Sequence, residues 1–126
     1  MLETTHHKKA STKEVEALLT LYYQGKFSLV LKKEKQFNSL YSDSVEVLNI
    51  FGSANIALQK YQKAIINFNK AIRINPYIPD IYYNLGLAYH HINNLDNAIE
   101  SYQKAISLKP DYDEAFYNMG MSLNKK

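Results

Sequence analysis

The chain has 126 residues, 46% hydrophobic and 21% charged, with a net charge of +3 and no cysteine. This is one domain's length, enough to bury a core; it excludes a disulfide framework and thiolate chemistry. The opening MLETTHHKKA has no apolar leader segment, and no run approaches the roughly 18 apolar residues of a membrane span, so a soluble, cytoplasmic protein is expected.

Residues 1–10 carry no periodicity and read as a disordered tail. His6 and His7 are adjacent there without further ligands, which favours a mobile polar tail over a metal site. Ser11-Thr12-Lys13-Glu14 precedes an apolar stretch and has the form of a capping box, so a helix starts here. Gly25, in QGKF, suits a turn that needs a left-handed residue. Lys32, Lys33 and Lys35 are interrupted by Glu34, the pattern of a solvated helical face, and nucleic acid is disfavoured as a partner.

From residue 45 the chain repeats itself. Gly52, Gly86 and Gly120 are evenly spaced, and the same interval carries Ala64, Phe68, Ala71 and Pro76 onto Ala98, Tyr102, Ala105 and Pro110. One period shared by so many positions marks an internal repeat. Helices are predicted over 45–58, 61–74, 80–92, 95–108 and 113–124. Gln59-Lys60 and Asn93-Asn94 form the turns, and Pro110 closes its unit because it cannot continue a helix. Asp113 and Glu114 sit at the start of the last helix, where the dipole favours acids. Small residues at Gly86, Ala98 and Ala105 let helices approach, with Tyr82, Leu85, Tyr89 and Tyr102 filling the space between them. A single unit is too small to bury its apolar face, so units must stack.

The best preserved copy, 79–112, reads Tyr82-x-x-Leu85-Gly86-x-x-Tyr89, then Ala98-x-x-x-Tyr102-x-x-Ala105, then Pro110. This resembles the tetratricopeptide repeat, a helix-turn-helix unit with its aromatic, Leu-Gly, Ala and Pro positions at this spacing. The resemblance implies an all-α, right-handed superhelical solenoid of antiparallel helix pairs with about three and a half repeats. They are an atypical first repeat over 11–44, repeats over 45–78 and 79–112, and a half repeat over 113–126. In the first repeat Leu18, Val30, Glu34 and Phe37 replace the Gly, first Ala, second aromatic and second Ala.

In that family the first helix of each repeat lines a concave groove at repeat positions 2, 5, 6, 9, 12 and 13. Carried over, the resemblance implies partner-binding residues Asn49, Ile50 and Ser53, then Tyr83, Asn84, Leu87, His90 and His91, then Tyr117, Asn118 and Met121. Asn84 and Asn118 share a repeat position and are expected to form a short ladder. An amide carries donors and an acceptor together and can pair with an extended peptide backbone whatever its sequence. The arrangement is similar to the asparagine ladder in the repeat domains of O-linked N-acetylglucosamine transferases. The family's carboxylate clamp for chaperone C-termini does not carry over. Its five basic and amide positions hold Val15, Leu19, Ile50, Asp80 and Asn84, or one repeat later Asn49, Ser53, Asn84, Glu114 and Asn118.

No cysteine nucleophile, phosphate loop or paired-carboxylate motif is present, and His90 and His91 project about 100° apart on a helix. A non-enzymatic interaction scaffold for a protein or peptide ligand, without cofactor or metal, is the expected role. Two alternatives are self-association into a homo-oligomer through Phe116, Met119 and Leu123, apolar where the next helix would lie, and substrate docking within a larger enzyme such as a glycosyltransferase.

Overall fold

The computed structural model describes residues 11–41 and 43–126; the expected tail, with His6 and His7, lies outside the described residues. Among them are eight helices and no strand: α1 (Thr12–Tyr23), α2 (Phe27–Lys32), α3 (Glu34–Leu40), α4 (Val45–Ala57), α5 (Tyr61–Ile74), α6 (Pro79–His91), α7 (Leu95–Leu108) and α8 (Asp113–Lys125). Predicted and observed bounds differ by at most one position from α4 through α8.

Local chemistry sets the ends. Ser11 and Glu14 make the reciprocal capping box: the Glu14 amide donates to Ser11 Oγ at 3.2 Å and the Ser11 amide to Glu14 Oε1 at 2.9 Å. Ser44 and Asn94 accept from the amides of Val47 and Asn97, and Pro79 occupies the first turn of α6, where a missing amide hydrogen is harmless. The turns inside the pairs recur once per repeat. Gly25, Gln59 and Asn93 have φ of +75°, +60° and +63°, and the amides of Lys26, Lys60 and Asn94 reach back to the carbonyls of Leu21, Asn55 and Tyr89. This is the left-handed helix ending that satisfies the last carbonyls.

Helices α4 and α5, and α6 and α7, pack as antiparallel pairs, with α5 against α6 and α7 against α8. The core is a row of small residues answered by rings. Ala64, Ala71, Ala98 and Ala105 are fully buried. A β-carbon on Gly52 would lie 2.5 Å from the Phe68 ring, and one on Gly86 would lie 2.5 Å from Tyr102. The first two glycines share their surroundings, whereas among the described residues nothing lies within 4 Å of a β-carbon on Gly120.

The second helix of the first pair is interrupted. Together α2 and α3 span residues 27–40, the counterpart of α5 one repeat earlier. At the junction the Lys33 amide donates to the carbonyl of Val30 at 3.1 Å, where a regular α-helix would use the carbonyl of Leu29. The shorter reach tightens that turn and separates the two segments. Val30 and Phe37 stand where the other pairs have alanine, and both are buried. A straight helix carrying them could not approach α4 as closely, and the break lets both side chains enter the core. Leu18, in the glycine's place, fills the space a ring takes elsewhere. Glu34, in the ring's place, turns aside to accept from Asn67 Nδ2 at 2.9 Å, and Asn67 Oδ1 accepts from Asn55 Nδ2 at 2.7 Å. A buried polar chain therefore joins the first two pairs. Among the described residues no helix is long and apolar enough to cross a membrane.

Candidate functional site

Beyond the pairings above, α1 packs on α4, α4 on α6, and α6 on α8. The outer helices α5 and α7 have no comparable contact, and a recess of about 350 Å³ opens between them, floored by Tyr82, Leu85 and Tyr89 of α6. Close spacing in one row and wide spacing in the other curve the stack toward α1, α4, α6 and α8, which form its inner side.

On that side the two asparagines do not bond each other. Asn84 Nδ2 donates to Asn49 Oδ1 at 3.2 Å, and Asn118 Nδ2 donates to the Tyr83 hydroxyl at 3.1 Å and to the Glu114 carbonyl at 2.8 Å. The bonds to Asn49 and Tyr83 each run back to the preceding inner helix. Among the described residues nothing donates to Oδ1 of Asn84 or Asn118, so two acceptors are held in orientation by the donors on the same amides. Tyr83 is fixed in turn by stacking on Tyr112, 5.1 Å between centroids. The Tyr112 hydroxyl donates to Asp80 Oδ1 at 2.6 Å. Burial, and then that carboxylate, raise the Tyr112 phenol above its ordinary range.

The remaining candidates divide. Ser53, Leu87 and Asn49 are half-buried on the inner side, and Tyr117 and Met121 are exposed. Ile50 is only 6% exposed and packs in the N-terminal core, where α1 lies against α4, and its remaining surface lines a recess between the two helices. His90 is half-buried, its Nδ1 2.7 Å from Ser122 Oγ of α8; burial, then Lys125 and His91, hold it below the usual histidine range. His91 stacks flat on Tyr61, 4.7 Å between centroids with planes 5° apart. Of the self-association residues, Phe116 and Leu123 are exposed, whereas Met119 packs against the C-terminal core.

Three features escaped the sequence reading. Leu19, Tyr22 and Tyr23 of α1 join Asn49, Ile50 and Ser53 around a recess of about 300 Å³. The signal was available, since Leu19 precedes Ser53 by one repeat length. Glu46, Asp80 and Glu114, spaced by the same interval, place an exposed carboxylate near the start of each of α4, α6 and α8. Charge is sorted between rows as well. The inner helices carry Glu14, Glu16, Glu46, Asp80, Asp113 and Glu114 against Lys13 and Lys125, whereas basic side chains outnumber acids on the outer helices.

Stacked antiparallel pairs with a constant period, and a row of first helices facing a common hollow, define a helical-repeat interaction fold. The chain belongs to the tetratricopeptide repeat family: the family's profile matches residues 79–112, and a second TPR repeat profile matches residues 52–93. The solved structures place it in the right-handed solenoid that the repeat pattern implies. A crystal structure of MamA is 36% identical with a TM-score of 0.83, covering 88% of this chain and 67% of that one; this chain therefore spans about two thirds of that relative. The first TPR of Spaghetti (RPAP3) bound to the HSP90 peptide SRMEEVD is 18% identical with a TM-score of 0.84, covering 92% of this chain and 95% of that one. The Sgt2 TPR domain from Aspergillus fumigatus is 20% identical with a TM-score of 0.83, covering 95% and 83%. No functionally curated protein matches the chain.

Proposed function

We propose that the chain is a non-enzymatic protein-interaction module that holds a peptide or partner segment against the inner side of α1, α4, α6 and α8. The observation that carries this reading is the pair of bonds from Asn84 to Asn49 and from Asn118 to Tyr83. They engage the amide nitrogens and leave two amide oxygens on successive inner helices as acceptors for the backbone N–H groups of an extended segment. Peptide capture within this fold has a precedent in the Spaghetti (RPAP3) domain bound to an HSP90 peptide.

The test is a double substitution, Asn84→Ala with Asn118→Ala, assayed by titration calorimetry against a partner isolated with the purified chain. Circular dichroism should remain helical while affinity falls about tenfold or more, equivalent to about 1.4 kcal/mol. Unchanged affinity in a folded variant would remove the amide-based reading.

A second reading, self-association, is favoured by the open face of α8. Gly52 and Gly86 each receive a ring, Gly120 receives none, and Phe116 and Leu123 flank it, exposed. A helix of a second copy seated there would bury that strip. Sedimentation velocity should then show a dimer that Phe116→Lys dissociates; a monomer throughout would end this reading.

A further inference from the structure

The charge of the inner side selects among partners, and this step rests on the groove reading above. We infer that the groove takes a segment combining an apolar or aromatic anchor with basic side chains at every third position. The anchor's place is the recess of about 300 Å³ between α1 and α4, walled by Leu19, Tyr22 and Tyr23 and floored by Ile50. Tyr23 is 79% exposed, leaving an aromatic face for an incoming side chain to cover.

The basic side chains answer Glu46, Asp80 and Glu114. All three are exposed and recur at the same point of successive inner helices; Asp80 accepts from the Tyr112 hydroxyl through Oδ1, a bond that Asp80→Asn can keep, and has Oδ2 for the segment. Packed helices lie about 10 Å apart, and a segment in the polyproline II conformation advances about 3.1 Å per residue with three residues per turn, so every third side chain returns to the same face. Every third residue of a segment crossing α4, α6 and α8 therefore meets the next carboxylate. The amide oxygens of Asn84 and Asn118 lie one helical turn further along the same helices, positioned for the segment's backbone. No lysine or arginine stands on α4 or α6 to oppose this, and α8 carries only Lys125, at the far end from Glu114. The same field repels an acidic tail: a site where the family's clamp needs a basic residue holds Asp80, or Glu114 one repeat later. Complementary charge of this kind sets specificity and encounter rate more than total affinity.

A phage-displayed library of random dodecapeptides, panned on the full chain, tests the inference. Enriched peptides should carry lysine or arginine at every third position beside an aromatic or aliphatic residue. As synthetic fluorescein-labelled peptides, they should bind about tenfold more weakly to the folded triple variant Glu46→Gln, Asp80→Asn, Glu114→Gln, and more weakly at high salt, where exposed charges are screened. Acidic or uncharged peptides that bind the triple variant equally, but lose affinity with Asn84→Ala and Asn118→Ala, would overturn the charge inference and leave the groove reading standing. Peptides indifferent to both sets, or a library with no enriched peptide, would overturn both.

Discussion

The ring of Tyr102 occupies the volume that a side chain on Gly86 would need: an added β-carbon would sit 2.5 Å from the ring. Phe68 stands in the same relation to Gly52, one repeat earlier, while the equivalent space beside Gly120 is open. Gly86→Ala should therefore destabilise by about 1–3 kcal/mol through overpacking. Gly120→Ala should stabilise by about 0.5–1 kcal/mol through helix propensity alone. Thermal melts of the two variants check this, and equal effects would mean that the ring contact does not limit the packing.

Tyr102 carries a hydroxyl that its counterpart Phe68 lacks, and in the fully buried ring that hydroxyl has no partner among the described residues. Burial is the first cause raising its phenol above the ordinary range. Tyr102→Phe removes an unsatisfied polar atom and keeps the ring, so stability should hold or rise by about 1 kcal/mol. Denaturant unfolding decides it; a clear loss would reveal a partner for the hydroxyl.

The chain Glu34–Asn67–Asn55 links the first pair of helices to the second through groups that, in Asn67 and Asn55, are almost wholly buried. Asn67→Ala strands the Asn55 amide and releases Glu34. A loss of about 1–3 kcal/mol is expected, the desolvation penalty of a buried group left unpaired. Because the bond to Glu34 holds α3, amide hydrogen exchange should accelerate over α2 and α3 before the rest. Uniform exchange would mean that the polar chain does not anchor them.

Protonation of His90 is disfavoured in the folded chain by burial, Lys125 and His91. A histidine whose folded pKa lies below its unfolded value contributes stability that is present above the unfolded pKa, near 6.5, and is lost as the pH falls through the folded value. The melting temperature should therefore drop on going from pH 7 to pH 5, and His90→Gln should flatten that part of the profile. An identical profile in the variant would show that other groups set the acid limb.

The amino-acid order alone determined the period, the helices from α4 onward and the rings that answer Gly52 and Gly86, because close packing once per repeat demands small residues and rings at set places. The left-handed turn residues Gly25 and Asn93 were legible for a similar reason, since few residues take that conformation readily. Tertiary structure decided the rest. The break between α2 and α3 follows from Val30 and Phe37 entering a core whose shape α4 sets. The asparagines pair backward with Asn49 and Tyr83, each 35 residues upstream, because the stack sets the same point of one inner helix against the next in every repeat. The recess that Leu19, Tyr22 and Tyr23 form with Ile50 exists only because α1 packs on α4, and only stacking brought the three helices that carry Glu46, Asp80 and Glu114 side by side.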